Sequence, residues 1–368
     1  MNGFKVQTLP GKNRSMVATK AFKTGDLIFE EEPFVSRQFS WNCAYGYAAC
    51  DHCMRPLETT EENVRRLAND QTITLPFPEH CAIKEWIDQF TVCPNCGVRY
   101  CSEDCRVEAL SKYHMAACLG ASKDDDTHPI NILNETWKKM HYPPETGTIM
   151  LVVRLLAMYK QSRNKQQFLQ DLKSFQSEIV NEELMIFHKM LGSNFKNELN
   201  QLYQTFCNAF SSEEFAMVGC GQTARESRLV LMLNGYESYL LMLMNFIKKF
   251  TNVIAGEFLN NEGSGLYLLQ SKINHSCVPN AQSSFPYSND ILVLKALSDI
   301  QPGDEICISY LDACLLERSR HSRQKELKGN YLFICKCPKC EEQLNDPDET
   351  SEDEEEDDDS DISMDEDA

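Results

Sequence analysis

The sequence lacks a long uninterrupted hydrophobic run. Its most apolar stretch, residues 229–246, is broken by four residues that suit a bilayer poorly: Asn234, Gly235, Glu237 and Asn245. Polar side chains are expensive at the centre of a membrane. The first residues of the chain also lack the apolar core of a secretory signal peptide. We therefore expect neither a signal peptide nor a membrane span, and a location in the nucleus and the cytoplasm.

Basic residues are absent from the C-terminal segment. Residues 345–368 carry 15 Asp or Glu and no Lys or Arg, so the 36 basic and 40 acidic residues before them leave only −4 of the total charge of −19. A segment of this kind cannot bury enough apolar surface to fold. We predict a disordered acidic tail over 343–368. It either keeps the protein soluble or recruits a basic protein through an attraction that weakens with salt.

Cysteine, in contrast, is abundant. The 368 residues contain 17 cysteines, and without a signal peptide such a number indicates metal or redox chemistry rather than disulfide bonds. A hydrophobic content of 42% is enough to build the cores of two or three globular domains.

Short runs of β-favouring residues lie near both ends of the chain. They cover residues 4–6, 16–18, 27–29, 34–35 and 305–310, the last of which ends in Tyr310. Two similar turns, Lys23-Thr24-Gly25-Asp26 and Gln301-Pro302-Gly303-Asp304, each precede one of these runs. The similarity of two such distant segments predicts one β domain that is split by insertions.

Residues 145–250 carry apolar residues at helical spacing. One set is Ile149, Val152, Val153 and Leu156, and others lie within 184–191 and 229–240. This pattern predicts an insertion of four or five helices, and we favour a helical core with no chemistry of its own.

A further helix is predicted from Leu315 to about Gly329. It carries five basic residues, Arg318, Arg320, Arg323, Lys325 and Lys328. These side chains either contact an anion or face the solvent, and we favour the solvent.

Eight potential metal ligands occur in pairs between residues 50 and 118. The pairs are Cys50-x2-Cys53, Cys93-x2-Cys96, Cys101-x3-Cys105 and His114-x3-Cys118. Eight ligands make two tetrahedral zinc sites. Since alternating pairs usually cross-brace, we assign Cys50, Cys53, Cys101 and Cys105 to one ion and Cys93, Cys96, His114 and Cys118 to the other. The alternative is a set of buried free thiols. A module this small depends on its metal to fold, so its default role is structural.

A second cysteine cluster, Cys335-x-Cys337-x2-Cys340, has three thiols where a closed zinc site needs four. Cys277 lies in a polar segment, Asn274-His275-Ser276-Cys277, that we predict to line a ligand pocket. No other cysteine outside the clusters has a comparable setting. We therefore predict that Cys277 is the fourth ligand.

Three motifs in this order resemble a known family. Asn274-His275-Ser276-Cys277-x-Pro279-Asn280, Gly303-Asp304-Glu305-Ile306-x-Ile308-Ser309-Tyr310 and the cysteine triplet are similar to the SET and post-SET regions of protein-lysine methyltransferases. The eight-ligand module resembles a MYND zinc finger. Together these features are typical of the family that combines SET and MYND domains, and the resemblance covers residues 1 to about 342.

The chain departs from the usual pattern of this family in three places. It has an acidic tail where most members have a large helical domain, which makes it similar to a divergent type within the family. The 39 residues between Cys53 and Cys93 are many more than a MYND finger usually has. The N-terminal loop, usually Gly-x-Gly, corresponds to Asn13-Arg14-Ser15, and glycine there would let the backbone approach the cofactor closely.

The resemblance implies an α+β fold. Its parts would be the N-terminal portion of a β-rich SET core (1–48), a two-zinc MYND-type finger with a long internal insertion (49–120), a linker and helical insertion (121–252), the core SET region (253–314), a post-SET helix and zinc segment (315–342) and the disordered acidic tail (343–368).

The resemblance also implies a role for each residue of the site. Arg14, Asn274 and His275 would contact S-adenosylmethionine, Phe333 would stack on its adenine, and Tyr331 would line the lysine channel. Tyr310 would contact the cofactor and orient the reacting amine near the methyl group. Taken singly, each of these residues is explained as well by a turn or by packing.

The sequence thus predicts a protein-lysine N-methyltransferase that uses S-adenosylmethionine and holds three Zn²⁺. Its partners would be a basic protein substrate, such as a histone or a ribosomal protein, and a peptide bound by the finger. We expect a monomer that binds neither nucleic acid nor membrane. The alternative is a catalytically weak scaffold that binds peptides or basic proteins.

Overall fold

The computed structural model describes residues 3–9, 14–39, 46–76, 89–140, 148–175, 252–254, 263–331 and 333–347. The predictions for Asn13, for the apolar sets within 184–191 and 229–240 and for the tail from residue 348 onward lie outside these ranges. No helix within the described ranges is both long and apolar enough to cross a membrane.

Groups of short strands are separated by groups of helices along the described chain. The strands are β1 (Phe4–Thr8), β2 (Arg14–Ala18), β3 (Leu27–Glu31), β4 (Val35–Gln38), β5 (Thr91–Val92), β6 (Arg99–Tyr100), β7 (Asn252–Ile254), β8 (Gly263–Leu266), β9 (Asn274–His275), β10 (Ala281–Ser284), β11 (Leu292–Ala296) and β12 (Glu305–Ile308). The helices are α1 (Thr60–Ala68), α2 (Glu103–Ala109), α3 (Met115–Ala117), α4 (Pro129–Met140), α5 (Thr148–Gln161), α6 (Lys165–Ser174), α7 (Ala313–Glu317), α8 (Arg320–Tyr331) and α9 (Pro338–Glu342).

The chain divides into two compact units. One contains residues 1–29, 272–283 and 294–368, and the other contains residues 30–271 and 284–293. Each unit therefore combines segments that are far apart in the sequence.

A four-stranded sheet of order β1-β2-β12-β9 forms the centre of the first unit. β2 is antiparallel to both neighbours, with Met16 opposite Val6 on one side and Ile306 on the other. β12 also pairs in parallel with β9 through Ile308 and His275. Because β2 is central, four of its five residues are buried. Strands β1, β2 and β12, from the two ends of the chain, thus form one sheet, whereas β4, which covers the predicted run at residues 34–35, belongs to the second unit.

The two turns that the sequence predicts are built in the same way. Gly25 and Gly303 have φ values of +87° and +98°, which glycine adopts without strain. The carboxylate of Asp26 accepts a hydrogen bond from the Lys23 amide at 2.8 Å, and that of Asp304 accepts one from the Gln301 amide at 2.8 Å. Each turn thus closes on its own aspartate.

The second unit has a helical core. Ile149, Val152, Val153 and Leu156 are at most 4% exposed on α5, as their spacing predicts, and Val35 of β4 belongs to the same core cluster. A three-stranded sheet of order β4-β8-β7 lies in this unit. Of the helices predicted from residue 145 onward, α5 and α6 are present in the described part of the chain, and α4 lies before the predicted stretch.

The cysteine-rich module packs against α5 within the second unit. It contains β5, β6 and α2, followed by a π-helical turn over Leu110–His114 and then α3. Arg154 of α5 donates hydrogen bonds to the backbone and side-chain oxygens of Asp51 at 2.7 Å, and its guanidinium lies 4.2 Å from the Tyr113 ring centroid. A buried ion pair therefore joins this module to the helical core.

Three local predictions are wrong. Strand β12 ends at Ile308, so Tyr310 follows the strand instead of ending it. Arg14 and Ser15 belong to strand β2 and not to a loop, because Arg14 and Thr8 are strand partners. The predicted basic helix is two helices, because Arg318 is extended and the Ser319 hydroxyl accepts the Ser322 amide hydrogen bond at the start of α8.

Candidate functional site

Three groups of four potential metal ligands lie in the described chain. They are Cys50, Cys53, Cys101 and Cys105; Cys93, Cys96, His114 and Cys118; and Cys277, Cys335, Cys337 and Cys340. The ligand atoms of each group all lie within 4.8 Å of one another. These are the same sets that the sequence predicts, the first two from the spacing of their ligands and the third from the need for a fourth ligand and the setting of Cys277.

The distances within the groups fit tetrahedral zinc. With Zn–S bonds of about 2.3 Å, two sulfur ligands should lie about 3.8 Å apart. The Sγ atoms of Cys53 and Cys101 are 3.6 Å apart and those of Cys93 and Cys118 are 3.9 Å apart. In the second group, Nε2 of His114 lies 3.5 Å from Cys96 Sγ, so this nitrogen is the candidate ligand. The sulfur atoms are much too far apart for disulfide bonds.

Two of the cysteine pairs sit on matching turns. The amide of Met54 donates to the carbonyl of Cys50, and the amide of Gly97 donates to the carbonyl of Cys93, both at 2.9 Å. Met54 and Gly97 each follow the second cysteine of their pair and have positive φ values of 60° and 72°. The left-handed residue turns the chain back so that both sulfur atoms point to the same side.

The third group joins two distant parts of the first unit. Cys277 Sγ lies 4.0 Å from Cys335 Sγ and 3.6 Å from Cys340 Sγ, and all four thiols are at most 9% exposed. Cys337 precedes α9, and the amide of Cys340 donates to its carbonyl at 2.9 Å. The segment after β9 and the segment around α9 therefore share one candidate metal centre.

The prediction that the basic residues of residues 315–329 face the solvent is wrong for Arg323. This side chain is 0% exposed, and its Nη2 lies 3.6 Å from Cys340 Sγ. The prediction fails because it treated α8 as a surface helix, whereas Arg323 and Leu327, four residues apart, both face the thiol cluster.

Asn274 connects three strands of the central sheet. Its side-chain nitrogen is 2.8 Å from Ser15 Oγ, 2.8 Å from Glu305 Oε1 and 3.3 Å from the Arg14 carbonyl oxygen. Ser15 is completely buried. β9 is thus held against both β2 and β12 by a single amide.

His275 connects the third thiol group to Tyr310. Its Nδ1 accepts a hydrogen bond from the Tyr310 backbone amide at 2.9 Å, and its Nε2 lies 3.3 Å from Cys277 Sγ. A backbone amide can only donate, so Nδ1 carries no proton in this arrangement. The neutral ring therefore has its proton on Nε2, where it can donate to the cysteine sulfur.

Tyr310 lies among other aromatic rings. Its ring centroid is 5.4 Å from that of His275, 4.9 Å from that of Tyr331 and 6.3 Å from that of Phe333. The hydroxyl donates to the carbonyl of Ile273 at 2.6 Å. Burial, followed by the nearby Tyr331 phenol, raises the pKa of Tyr310 above its ordinary value. The hydroxyl therefore stays protonated at neutral pH.

The structure brings most of the predicted pocket residues together. Tyr331 donates to the Tyr310 carbonyl at 3.2 Å, and the Phe333 ring lies 6.0 Å from the His275 ring. Arg14 contacts the Asn274 side-chain nitrogen through its backbone carbonyl oxygen.

Sequence reasoning missed two contributors to this region, Ser15 and Arg323. For Ser15 the only signal in the sequence was that it stands where the family usually has a glycine. For Arg323 the available signal was its four-residue spacing from Leu327 on one helix face.

Comparison with known proteins gives a consistent set of relatives. The SET domain model matches residues 13–311. The protein-lysine N-trimethyltransferase SMYD5 of Gallus gallus is 47% identical over 365 residues, with 93% of this chain and 86% of that protein covered. SMYD5 of Homo sapiens is 44% identical, with 93% and 87% covered. The histone-lysine N-methyltransferase SMYD3 of Homo sapiens is 29% identical over 250 residues, which cover 67% of this chain and 50% of that protein.

Proposed function

Because this chain belongs to the SET domain family, we propose that it is an S-adenosylmethionine-dependent protein-lysine N-methyltransferase. The observation that carries the proposal is the arrangement around Tyr310. A protonated phenol lies between the rings of His275, Tyr331 and Phe333, next to the strand that holds Asn274. Methyl transfer to an amine requires alignment and removal of water, and this arrangement suits both tasks.

The residues around Tyr310 fit the cofactor. Aromatic rings offer flat apolar surface for adenine and π-electron density for a sulfonium cation, and His275, Tyr310 and Phe333 supply such rings. Asn274 uses its amide nitrogen within the protein, which leaves its amide oxygen for the cofactor's ammonium group. Arg14 would pair with the carboxylate of the cofactor. When bound, S-adenosylmethionine supplies an activated methyl group on a positively charged sulfur.

Tyr310 acts on the substrate amine through its hydroxyl oxygen. The hydroxyl proton is directed to the Ile273 carbonyl, so the oxygen lone pairs remain to accept a hydrogen bond from the amine. This bond orients the nitrogen lone pair for attack. Tyr331 lines the lysine channel, and its ring excludes water. Loss of water lowers the pKa of the lysine amine, which favours the neutral nucleophile.

We further propose that the three ligand groups hold three zinc ions, two in a MYND-type finger and one in a post-SET site that includes Cys277. Their support is the match between the sulfur separations and tetrahedral zinc. These ions would stabilise folds with small apolar cores.

The substrate we propose is a lysine of a basic protein, such as a histone or a ribosomal protein. Support comes from the 15 acidic residues among residues 345–368. Acidic segments attract basic proteins through an interaction that salt weakens.

A second candidate function is a scaffold without methyl transfer. One observation favours it: the completely buried Ser15 stands where the family usually has a glycine, and its side chain occupies space beside Asn274. In this case the finger would dock peptides and the acidic tail would bind basic proteins.

Calorimetry with S-adenosylmethionine separates the two functions. We expect the full chain to bind the cofactor, and Asn274→Ala to weaken binding at least about 10-fold, since it removes contacts both to the cofactor and between strands. Gln282→Ala is the control, because it removes an exposed side-chain amide on β10. It should leave the affinity for S-adenosylmethionine unchanged. Absence of binding by the folded wild-type protein would exclude the enzyme and leave the scaffold.

A further inference from the structure

Arg323 is an unusual buried cation. It is 0% exposed and belongs to the interior shared by Leu311, Leu327 and the third thiol group. Arginine is almost never fully buried unless an opposite charge accompanies it, because an unpaired charge is expensive to remove from water. A compensating negative charge is therefore expected close to this guanidinium.

The neighbours of the guanidinium are neutral oxygens and a thiol sulfur. Nη1 donates to the Arg318 carbonyl at 2.5 Å, and Nη2 donates to Gln343 Oε1 at 2.8 Å. Nη2 also lies 3.6 Å from Cys340 Sγ. Among the described residues, the ion pairs within 4.0 Å include none between Arg323 and a carboxylate. The thiol group is thus the source of negative charge that the structure offers.

We propose that Arg323 balances the charge of the zinc site formed by Cys277, Cys335, Cys337 and Cys340, and thereby sets how tightly this metal is held. A zinc ion with four thiolates carries two excess negative charges, and the cost of burying them falls when a cation donates to a ligand sulfur. The inference rests on the zinc site proposed above and does not depend on methyl transfer.

Other residues of helix α8 position Arg323 beside the thiol group. Gln324, next to Arg323, donates to the Cys335 carbonyl at 2.7 Å and accepts from the Cys335 amide at 2.8 Å. Arg320 donates from Nε to the Cys340 carbonyl at 2.9 Å. One face of the helix therefore holds the backbones of two ligands while Arg323 reaches the sulfur. Arg323 is a positioning residue for the metal, not a ligand.

The test compares zinc retention in variants of the full chain. Total zinc is measured by elemental analysis, and the rate of zinc release is followed with a chromogenic chelator. Arg323→Met removes the charge but still fills the space with an apolar side chain. Arg323→Lys keeps the charge but lacks the planar guanidinium group. Lys328→Gln is the control, because it removes an exposed charge from the same helix. The two zinc ions of the finger serve as an internal reference.

We expect three zinc ions in the wild type and a 10- to 100-fold lower affinity for the third ion in Arg323→Met, as found for changes around metal ligands. The affinity of Arg323→Lys for the third ion should lie between those of the wild type and Arg323→Met, and the affinity of Lys328→Gln should equal that of the wild type. If Arg323→Met releases the third ion at the wild-type rate, the inference is overturned and Arg323 has only a packing role. If Arg323→Met does not fold, Arg323→Gln, which also lacks the charge, takes its place, and release of the third ion at the wild-type rate in that variant overturns the inference. If the wild-type protein contains only two zinc ions, the proposed third zinc site does not exist and the inference fails with it.

Discussion

His275 contacts both the third thiol group and Tyr310. One ring nitrogen accepts the Tyr310 amide and the other faces Cys277 Sγ, so the imidazole has a defined orientation and tautomer. The backbone of the proposed catalytic residue is thereby held by a ring whose other side contacts a proposed zinc ligand. The two nitrogen atoms of one ring therefore connect the third thiol group to the backbone of Tyr310.

Ser15 makes a separate contribution at the residue scale. Its Oγ lies 2.8 Å from the Asn274 amide nitrogen, so we expect it to orient the amide oxygen that we propose as a cofactor contact. Ser15→Ala removes one acceptor, worth about 0.5–1.5 kcal/mol for a neutral hydrogen bond. We predict that its dissociation constant for S-adenosylmethionine rises by about 2- to 10-fold in calorimetry.

The matched control for Ser15 is Ser284→Ala, which makes the same chemical change at an exposed position. This variant should bind the cofactor as the wild type does. Equal affinities for Ser15→Ala and the wild type, at equal thermal stability, would mean that Asn274 does not depend on Ser15.

Among the elements, β8 shows how closely strands of the second unit approach each other. A Cβ added at Gly263 would lie 2.4 Å from the Arg37 carbonyl oxygen and 2.2 Å from Met54 Cε. The first of these is a backbone atom of a paired strand and cannot move without breaking the sheet. We therefore predict that Gly263→Ala lowers the free energy of unfolding by about 1–3 kcal/mol, measured by urea denaturation.

Gly329 on α8 provides the comparison for Gly263. A Cβ there meets no atom within 4 Å, so Gly329→Ala should be neutral or stabilise by up to about 1 kcal/mol, since alanine favours a helix more than glycine does. The same loss of stability in both variants would show that the close approach at Gly263 has no effect of its own.

Elements differ in how well the sequence predicts them. The strands at both ends and helix α5 follow from local patterns, namely β-favouring runs beside glycine turns and apolar residues on one helical face. The break between α7 and α8 does not, because it depends on the Ser319 hydroxyl, which accepts the Ser322 amide. A serine within a charged segment gives no signal as clear as glycine or proline.

Over the whole molecule, the ligand groups could be predicted because their chemistry limits the choices. Zinc needs four ligands, so three cysteines in the last cluster required a partner, and Cys277 had the best setting. The environment of Arg323 could not be predicted in the same way. Cys277 and Cys340 are separated by 63 residues, and their sulfur atoms lie together beside Arg323 only once the chain has folded.

The central claim is that the chain transfers methyl groups to lysine with Tyr310 as the catalytic residue. Its most direct test is the transfer of a labelled methyl group from S-adenosylmethionine to histone and ribosomal protein fractions. Tyr287→Phe is the matched control, since it removes the hydroxyl of an exposed tyrosine that donates a hydrogen bond to Glu30. Calorimetry on each variant checks that the cofactor still binds.

We predict that Tyr310→Phe binds S-adenosylmethionine within about 3-fold of the wild type but transfers methyl groups at least about 100-fold more slowly, because it loses the group that orients the amine. Tyr287→Phe should label protein at the wild-type rate. Equal labelling by Tyr310→Phe and the wild type would contradict the account.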